Sequence, residues 1–353
     1  MVSLLTPSTD PRQTARDAFA AALTAMDRAK GIALLGHFDA DGLSALAIFA
    51  RALGAAGIAT DVVVTGKGET PWDDAVRARL AALNRGGLVV TDLGVRAEPI
   101  LDLPTVYIDH HRPTGFPPGD TVLSGHGLDP EPTSALIAWW AAAALGDVAD
   151  LQWLAALGLI GDMAPEFPEL IEAQARWGKT ALKDAVALVN APRRTAAADP
   201  SPALRLLLES KGPKAITKGT SPDAEALRAA KAEVAAELEA ARRVGPKIHG
   251  DVALIRFHSP CQIHPLIAQS WRGRLKEKIV LAANTGYNPG WVHFAARSAT
   301  GVDLLEFLAR HRPPNADGRY GNGHAQATGG ALRPADWNAF VSDLGFPDQQ
   351  VPL

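Results

Sequence analysis

The chain has 353 residues, of which 47% are apolar and 21% are charged, and its formal net charge is −3. These values are typical of a soluble globular protein of about two domains, and they exclude a global basic field that would draw the molecule onto nucleic acid. The one cysteine, Cys261, excludes a disulfide framework and a thiolate zinc cluster. The first ten residues lack the apolar core of a signal peptide, and no stretch reaches the ~20 apolar residues of a membrane span. We therefore expect a cytoplasmic protein without a membrane partner.

Apolar runs of strand type alternate with helical patterns through the first half of the chain. The predicted helices are 11–30, 43–50, 74–83, 135–145 and 151–160, and the predicted strands are 31–36, 58–64, 87–94, 104–111 and, at an edge, 121–124. Strands that alternate with helices predict an α/β domain whose mainly parallel sheet is covered by helices on both faces.

The β pattern disappears between about Glu166 and Gly245, where charged and Ala-rich helices take over. A smaller α/β unit is predicted from Asp251, and it ends in a glycine-rich loop at 321–330. The expected organisation is therefore a first domain at 1–190, a helical connector at 191–245 and a second domain at 246–353. We interpret Arg193-Arg194 and Arg242-Arg243 as solvated charges, with contact to a nucleic-acid backbone as the minor alternative.

Polar side chains crowd the end of the first predicted strand. His37, Asp39 and Asp41 occupy alternate positions, and Gly42 and an apolar helix follow. Open α/β sheets place their sites at the carboxyl ends of strands. An Asp-Gly turn with helix-capping aspartates explains one Asp, but it does not explain a His and two Asp residues together.

Three further segments offer acidic or imidazole groups after apolar runs: Asp92, the triplet Asp109-His110-His111, and Asp162. Each segment alone has a structural explanation, namely a turn, a hydrogen-bonded loop and a helix end. Their joint occurrence favours a metal site, because a parallel sheet brings strand ends to one edge. Oxygen ligands with a minority of imidazoles favour Mn²⁺. The surplus of carboxylates indicates two ions, typically ~3.5–4 Å apart, which clamp a phosphoryl group and activate water.

The order His-x-Asp-x-Asp-Gly, strand-end Asp, Asp-His-His and Gly-Asp-Met resembles the DHH phosphoesterase superfamily over nearly the whole chain. The segment Gly321-Asn-Gly-His-Ala-Gln-Ala-Thr-Gly-Gly330 is similar to the glycine-rich loop of the DHH-associated domain, although Asn322 replaces a usual Gly. The pair Arg297-Ser298 is similar to the Arg-Ser that precedes that loop in RecJ-like members.

The resemblance implies an active-site cleft between the two domains and a role for each matching residue. His37, Asp39 and Asp92 would hold one Mn²⁺, and Asp41, Asp92, His110 and Asp162 would hold the other, with Mg²⁺ or Co²⁺ as substitutes. Asp41, Asp92 and His111 would serve catalysis, with His111 beside the scissile phosphate, and Asp109 would fix an imidazole tautomer. The residues that would grip a neighbouring phosphate are Arg297, Ser298, Gly323 and His324.

The expected function is metal-dependent removal of nucleotides from single-stranded or short oligonucleotides, as in RecJ-like and oligoribonuclease-like enzymes. Hydrolysis of a cyclic or linear dinucleotide is the alternative, and a catalytically silent nucleic-acid-binding module is a third reading. RecJ exonucleases carry an OB-fold domain that these residues do not contain, so we expect long processive digestion to be weak. Cleavage polarity, the choice between DNA and RNA, and the oligomeric state, a homodimer included, stay open at this point.

Overall fold

The computed structural model describes residues 5, 6 and 10–353, apart from the side chains of Asn322 and His324. The fold is α/β, and the described chain divides into two compact units. The first unit extends to Arg193 and includes Ala198–Ala229, and the second unit consists of Arg194–Ala197 and Ala230–Leu353. The segment 191–245 is therefore divided between the units, and the helix Pro222–Arg242 crosses from one to the other.

The first unit is built on a five-stranded sheet in which every pairing is parallel, with the order β2-β1-β3-β4-β5. Its strands are β1 (Ile32–Gly36), β2 (Thr60–Val64), β3 (Leu88–Thr91), β4 (Thr105–Asp109) and β5 (Thr121–Ser124). The central strands β1, β3 and β4 are buried along their whole length, as expected for continuous apolar runs covered on both faces. The predicted parallel sheet and its edge strand at 121–124 are confirmed.

The helices of this unit pack against the sheet or against one another. They are α1 (Pro11–Ala25), α2 (Ala40–Ala55), α3 (Asp74–Ala82), α4 (Ser134–Ala142), α5 (Gln152–Gly161), α6 (Pro168–Trp177), α7 (Lys179–Val189), α8 (Ser201–Glu209) and α9 (Pro213–Lys218). The helix α2 is apolar on nearly every face because it is enclosed between β1 and other helices, with Leu43, Leu46 and Phe49 fully buried. Full burial of each such side chain contributes roughly 1.5–3 kcal/mol, so α2 is anchored firmly above the sheet.

The second unit contains a six-stranded mixed sheet with the order β10-β11-β9-β8-β7-β6. Its elements, which follow the long helix α10 (Pro222–Arg242), are β6 (Lys247–His249), β7 (Val252–Phe257), α11 (His264–Arg272), β8 (Ile279–Asn284), β9 (Val292–Ser298), α12 (Leu304–Arg310), β10 (Tyr320–His324), β11 (Ala327–Leu332) and α13 (Pro334–Asp343). The glycine-rich stretch was predicted as a loop, and this is wrong, because β10 and β11 pair as an antiparallel hairpin and β11 pairs with β9. Glycine disfavours strands, but the ladder of backbone hydrogen bonds overrides that local preference here.

None of the helices in the described part of the chain is both long enough and apolar enough to cross a lipid bilayer.

Candidate metal centre

The centre lies at the carboxyl edge of the first sheet, where three neighbouring strands end. The strands β1, β3 and β4 are adjacent and parallel, so their carboxyl ends meet at one edge. The polar groups that follow them are, in chain order, His37, Asp39 and Asp41, then Asp92, then Asp109, His110 and His111. Asp162 joins them from the end of α5.

The turn after β1 brings His37 and Asp39 together. The imidazole Nδ1 of His37 is 3.0 Å from Asp39 Oδ2 and 3.5 Å from Asp92 Oδ2. Asp39 is the N-cap of α2, and its Oδ1 accepts a hydrogen bond from the Gly42 backbone N–H at 3.1 Å. A Cβ on Gly42 would lie 2.6 Å from the His37 carbonyl oxygen, so this turn requires glycine.

Asp41 is completely buried and accepts two backbone hydrogen bonds from the first turn of α4. The Ser134 N–H donates to its Oδ2 at 2.8 Å, and the Ala135 N–H donates to its Oδ1 at 2.9 Å. The partial positive charge of a helix N-terminus favours this carboxylate. Gly158 on α5 provides the space, since a Cβ there would overlap Asp41 Oδ1 and would lie 2.6 Å from the Ala135 Cβ.

Asp92 is buried at the centre of the cluster and has a left-handed backbone, with φ of 62°. Its Oδ1 accepts a hydrogen bond from Ser134 Oγ at 3.0 Å. Non-glycine residues in this region of φ are uncommon and store strain that functional sites often hold. The strained turn places the carboxylate between the groups that follow β1 and those that follow β4.

His110 faces the same centre from the opposite side. Its Nε2 is 3.2 Å from Asp162 Oδ2, 3.6 Å from Asp92 Oδ1 and 3.9 Å from Asp41 Oδ2. This nitrogen is buried, and among the described residues it meets no hydrogen-bond partner in good geometry. An imidazole nitrogen buried among three carboxylates has surroundings that suit a metal ligand.

His111 is held by Asp109. The Asp109 Oδ1 accepts the His111 backbone N–H at 2.6 Å and lies 3.1 Å from the His111 Nδ1, while Oδ2 accepts the Gly94 N–H at 2.7 Å. Burial raises the pKa of Asp109, but the bonds from His111 outweigh burial and lower it. The bond to Asp109 in turn raises the pKa of His111, whose side chain is 49% exposed. The carboxylate therefore fixes the orientation of an accessible imidazole.

The ligand atoms of these residues form compact groups in which all atoms lie within 4.8 Å of one another. The groups are His37, Asp39 and Asp92; Asp41, Asp92, His110 and Asp162; and Asp92, His110 and His111. Asp92 belongs to every group. The structure thus brings together all the metal ligands that the sequence suggested, and it places Asp92 where two sets of ligands meet.

The cluster is electrostatically crowded. Burial, followed by the charge of Asp162, raises the pKa of Asp41 to about 7. Burial and the charges of Asp39 and Asp41 raise the pKa of Asp92 well above its usual value. Burial opposes protonation of His110, but the neighbouring carboxylates outweigh it and raise the pKa of the imidazole to about 9. Bound cations would relieve this repulsion, and the donor set of carboxylate oxygens with imidazoles fits Mn²⁺.

Two residues beside the cluster were not found from the sequence. Arg193, which was interpreted as a solvated charge, instead donates from Nη1 to Asp39 Oδ2 at 2.8 Å, and its side chain is only 20% exposed. Asn190 Oδ1 accepts the Ala40 N–H at 2.9 Å and so holds the first turn of α2. Both lie about 150 residues from their partners, and no local pattern in the sequence marks such a contact.

The predicted phosphate-gripping residues belong to the second unit. Arg297 donates from Nη1 to the carbonyl oxygens of Ala296 at 2.8 Å and Thr328 at 3.2 Å, and the hydroxyl of the buried Ser298 is 2.8 Å from Thr300 Oγ1. Gly323 has φ of 132°, and a Cβ there would lie 2.9 Å from Thr328 Cα. The side chain of His324 lies outside the described part of the structure.

No protein-family model and no curated protein matches the sequence. Among solved structures, the fold is similar to an exonuclease RecJ bound to manganese, with 22% identity, a TM-score of 0.70, and coverage of 96% of this chain and 95% of the other. It is also similar to RecJ from Thermus thermophilus in complex with Mn²⁺, with 22% identity and a TM-score of 0.73, where 99% of this chain matches 56% of that one. A third similar structure is the DHH domain of PF0399, with 15% identity, a TM-score of 0.67, and coverage of 99% and 94%. The chain therefore has the fold of RecJ and DHH-domain proteins, and it spans about half the length of the Thermus RecJ chain.

Proposed function

We propose that this protein is a metal-dependent phosphodiesterase that hydrolyses single-stranded or short oligonucleotides with two Mn²⁺ ions. The observation that carries the proposal is the crowded group of carboxylates and imidazoles centred on Asp92. Asp92 belongs to each of the sets of possible metal ligands. The fold likeness to RecJ structures supports a nucleic-acid substrate, and the manganese in two of those structures supports the choice of ion.

The residues present fit the ions on two counts. His110 Nε2 is a buried nitrogen without a hydrogen-bond partner among the described residues, and burial together with repulsion from neighbouring carboxylates raises the pKa values of Asp41 and Asp92. We assign one ion to His37, Asp39 and Asp92, and the other to Asp41, Asp92, His110 and Asp162. When bound, such ions polarise the phosphoryl oxygens and lower the pKa of a water molecule.

The surrounding residues hold the ligands in place. The first turn of α4 fixes Asp41 through two backbone N–H groups and Asp92 through the Ser134 hydroxyl. Because these donors are part of folded elements, the carboxylates need little reorganisation when a phosphate binds. Mutation of such supporting groups typically costs about 10–100-fold in metal affinity or activity.

We assign to His111 the role of protonating the leaving group. Its Nδ1 is committed to Asp109, so Nε2 is the nitrogen that faces a substrate. The bond to Asp109 raises the pKa of His111, which favours its protonated form. A protonated imidazole at this point can donate a proton to the leaving oxygen of a phosphodiester.

For Arg297, Ser298, Gly323 and His324 the proposed role is contact with another phosphate of the substrate. Burial, followed by the charge of Arg272, lowers the pKa of Arg297, and no carboxylate among the described residues appears as a counter-ion to this guanidinium. A phosphate would supply that negative charge through a bidentate contact.

The test is hydrolysis of end-labelled 20-nucleotide DNA and RNA strands and of a linear dinucleotide by the purified chain with Mn²⁺. We expect mononucleotide products from the strands, and their label will report the cleavage polarity. Turnover of the dinucleotide alone would replace this proposal with the narrower dinucleotide activity. Binding without turnover of any substrate in the presence of Mn²⁺ would contradict an enzymatic role and would favour a nucleic-acid-binding module.

A further inference from the structure

A cationic pocket of about 300 Å³ lies in the first unit, where α6 ends and the chain enters α9. Its lining residues are Arg176, Trp177, Lys211, Gly212, Pro213, Lys214 and Ala215. The lining has three basic side chains and no carboxylate. This is notable in a chain whose net charge is −3.

The indole of Trp177 forms a fixed wall of the pocket. A Cβ on Gly212 would lie 3.0 Å from Trp177 Cδ1, so the ring packs directly against the glycine backbone. The Arg176 guanidinium lies over the same ring, with its Cζ 4.3 Å from the ring centroid. Trp177 is half-buried and therefore presents part of an aromatic surface beside a positive charge.

The three basic groups are not neutralised by neighbouring acids. Arg176, Lys211 and Lys214 are exposed, and in the described part of the chain no carboxylate oxygen lies within ion-pair distance of any of them. The Arg176 Nη1 donates to the Ala149 carbonyl oxygen at 3.1 Å, which orients the guanidinium and leaves its charge unbalanced. The pocket therefore presents a local positive field with an aromatic wall.

Positive groups that contact a backbone, combined with an aromatic ring on which a base stacks, are the means by which proteins bind single-stranded nucleic acid. Lysine ammonium groups bind phosphate as point charges, and the indole tolerates any base. We propose that this pocket binds a phosphate and its adjoining base in a single-stranded nucleic acid. The inference rests on the proposed function for its class of substrate.

The length of α7 predicts that only longer nucleic-acid strands can contact the pocket and the metal ligands at the same time. The helix begins at Lys179, two residues after Trp177, and Asn190 follows its last residue and contacts the first turn of α2 beside the metal ligands. Eleven helical residues span about 17 Å at 1.5 Å per residue. A dinucleotide held by the metal ligands is too short to reach the pocket, whereas a 12-nucleotide strand is long enough.

The experiment compares two lengths of ligand by fluorescence anisotropy with full-length protein carrying Asp92→Asn, so that hydrolysis does not interfere. The ligands are a labelled deoxythymidine 12-mer and a labelled deoxythymidine dinucleotide. We expect the double substitution Lys211→Glu/Lys214→Glu to weaken 12-mer binding at least about tenfold and to leave dinucleotide binding within twofold. Loss of this phosphate contact also lowers the slope of log Kd against log salt concentration by about 0.7.

The matched control is Lys231→Glu/Lys276→Glu, which changes the net charge equally at exposed lysines that do not line the pocket. An equal loss of 12-mer affinity in this control, or an equal loss for both ligand lengths in the pocket variant, would overturn the proposal. Unchanged 12-mer affinity in the pocket variant would overturn it as well. None of these readouts depends on turnover, so failure of the unsubstituted chain to hydrolyse any strand would contradict the proposed function separately.

Discussion

The two ligand groups of the candidate metal centre differ in how their charge is balanced. In the group of His37, Asp39 and Asp92, the guanidinium of Arg193 contacts Asp39 at 2.8 Å. Burial raises the pKa of Asp39, but the charges of His37 and Arg193 outweigh burial and hold it well below its usual range. This group already contains a permanent cation of the protein itself.

The group of Asp41, Asp92, His110 and Asp162 has three carboxylates and one imidazole, and no arginine or lysine contacts it among the described residues. Here burial raises the pKa of Asp41 to about 7 and that of Asp92 well above its usual value, so these two carboxylates hold protons more readily than exposed ones. The same strand ends therefore create one proposed metal position that has an arginine as counter-ion and one that has none among the described residues. We infer that the position without arginine binds its Mn²⁺ more tightly and is filled first.

Removal of the shared ligand is expected to have the largest effect, because it abolishes the difference between the two positions. Asp92→Asn should lower the rate of strand hydrolysis by at least about 10³-fold, which corresponds to about 4 kcal/mol of lost transition-state stabilisation. Elemental analysis should show fewer than two Mn²⁺ per chain. The matched control is Asp184→Asn, an exposed carboxylate on α7, and its activity should stay within twofold. Full activity of Asp92→Asn would refute the bridging position.

Much of this centre was predictable because strand ends in a parallel sheet converge by topology. His37, Asp92 and His110 follow apolar runs, and the order of those runs was enough to bring their side chains to one edge. The sequence also indicated α2, since an apolar stretch after an Asp-Gly pair favours a capped, buried helix. Local pattern and global fold agree in this half of the chain.

The charge balance was not predictable, because it depends on contacts between distant segments. Arg193 follows α7, about 150 residues after Asp39, and a pair of arginines in a sequence is usually solvated. The hairpin of β10 and β11 was missed for a related reason, since glycine has little preference for strands and only pairing with β9 orders it.

The pH dependence of metal binding tests whether the group that contains Asp41 and His110 holds protons in the absence of metal, as the pKa values of these two residues indicate. Mn²⁺ requires neutral His110 and ionised Asp41, whose pKa values without metal are about 9 and about 7. Binding must therefore release protons, so affinity should fall by at least about tenfold for each unit that the pH is lowered from 8 to 6, and most steeply below pH 7, where Asp41 also takes up a proton. Calorimetry in two buffers of different ionisation enthalpy will count the protons released. A pH-independent affinity over this range would contradict the proton-rich state.

Substitution of Gly158 should affect only one of the two proposed metal positions, through a steric clash. The added Cβ of Gly158→Ala would overlap Asp41 Oδ1, and so displace a ligand that belongs to one group only. We expect the affinity for the tighter Mn²⁺ to fall by about 10–100-fold, and the weaker site to keep its affinity. Titration with Mn²⁺, followed by competition with a chelating dye, resolves the two steps. Gly54→Ala on α2 is the control, because a Cβ there has no neighbour within 4 Å.

The smallest expected effect comes from removing the built-in counter-ion. Arg193→Gln frees Asp39 from a charge that competes with the metal, so the weaker Mn²⁺ should bind about 3–10-fold more tightly, as loss of one partly buried ion pair implies. Arg193→Lys keeps the positive charge and should leave the affinity within about twofold. If Arg193→Gln instead weakens the second binding step, the guanidinium orients Asp39 for the metal and does not compete with it. The two positions would then differ in the rigidity of their ligands, and the inference that the position without arginine is filled first would lose its electrostatic basis.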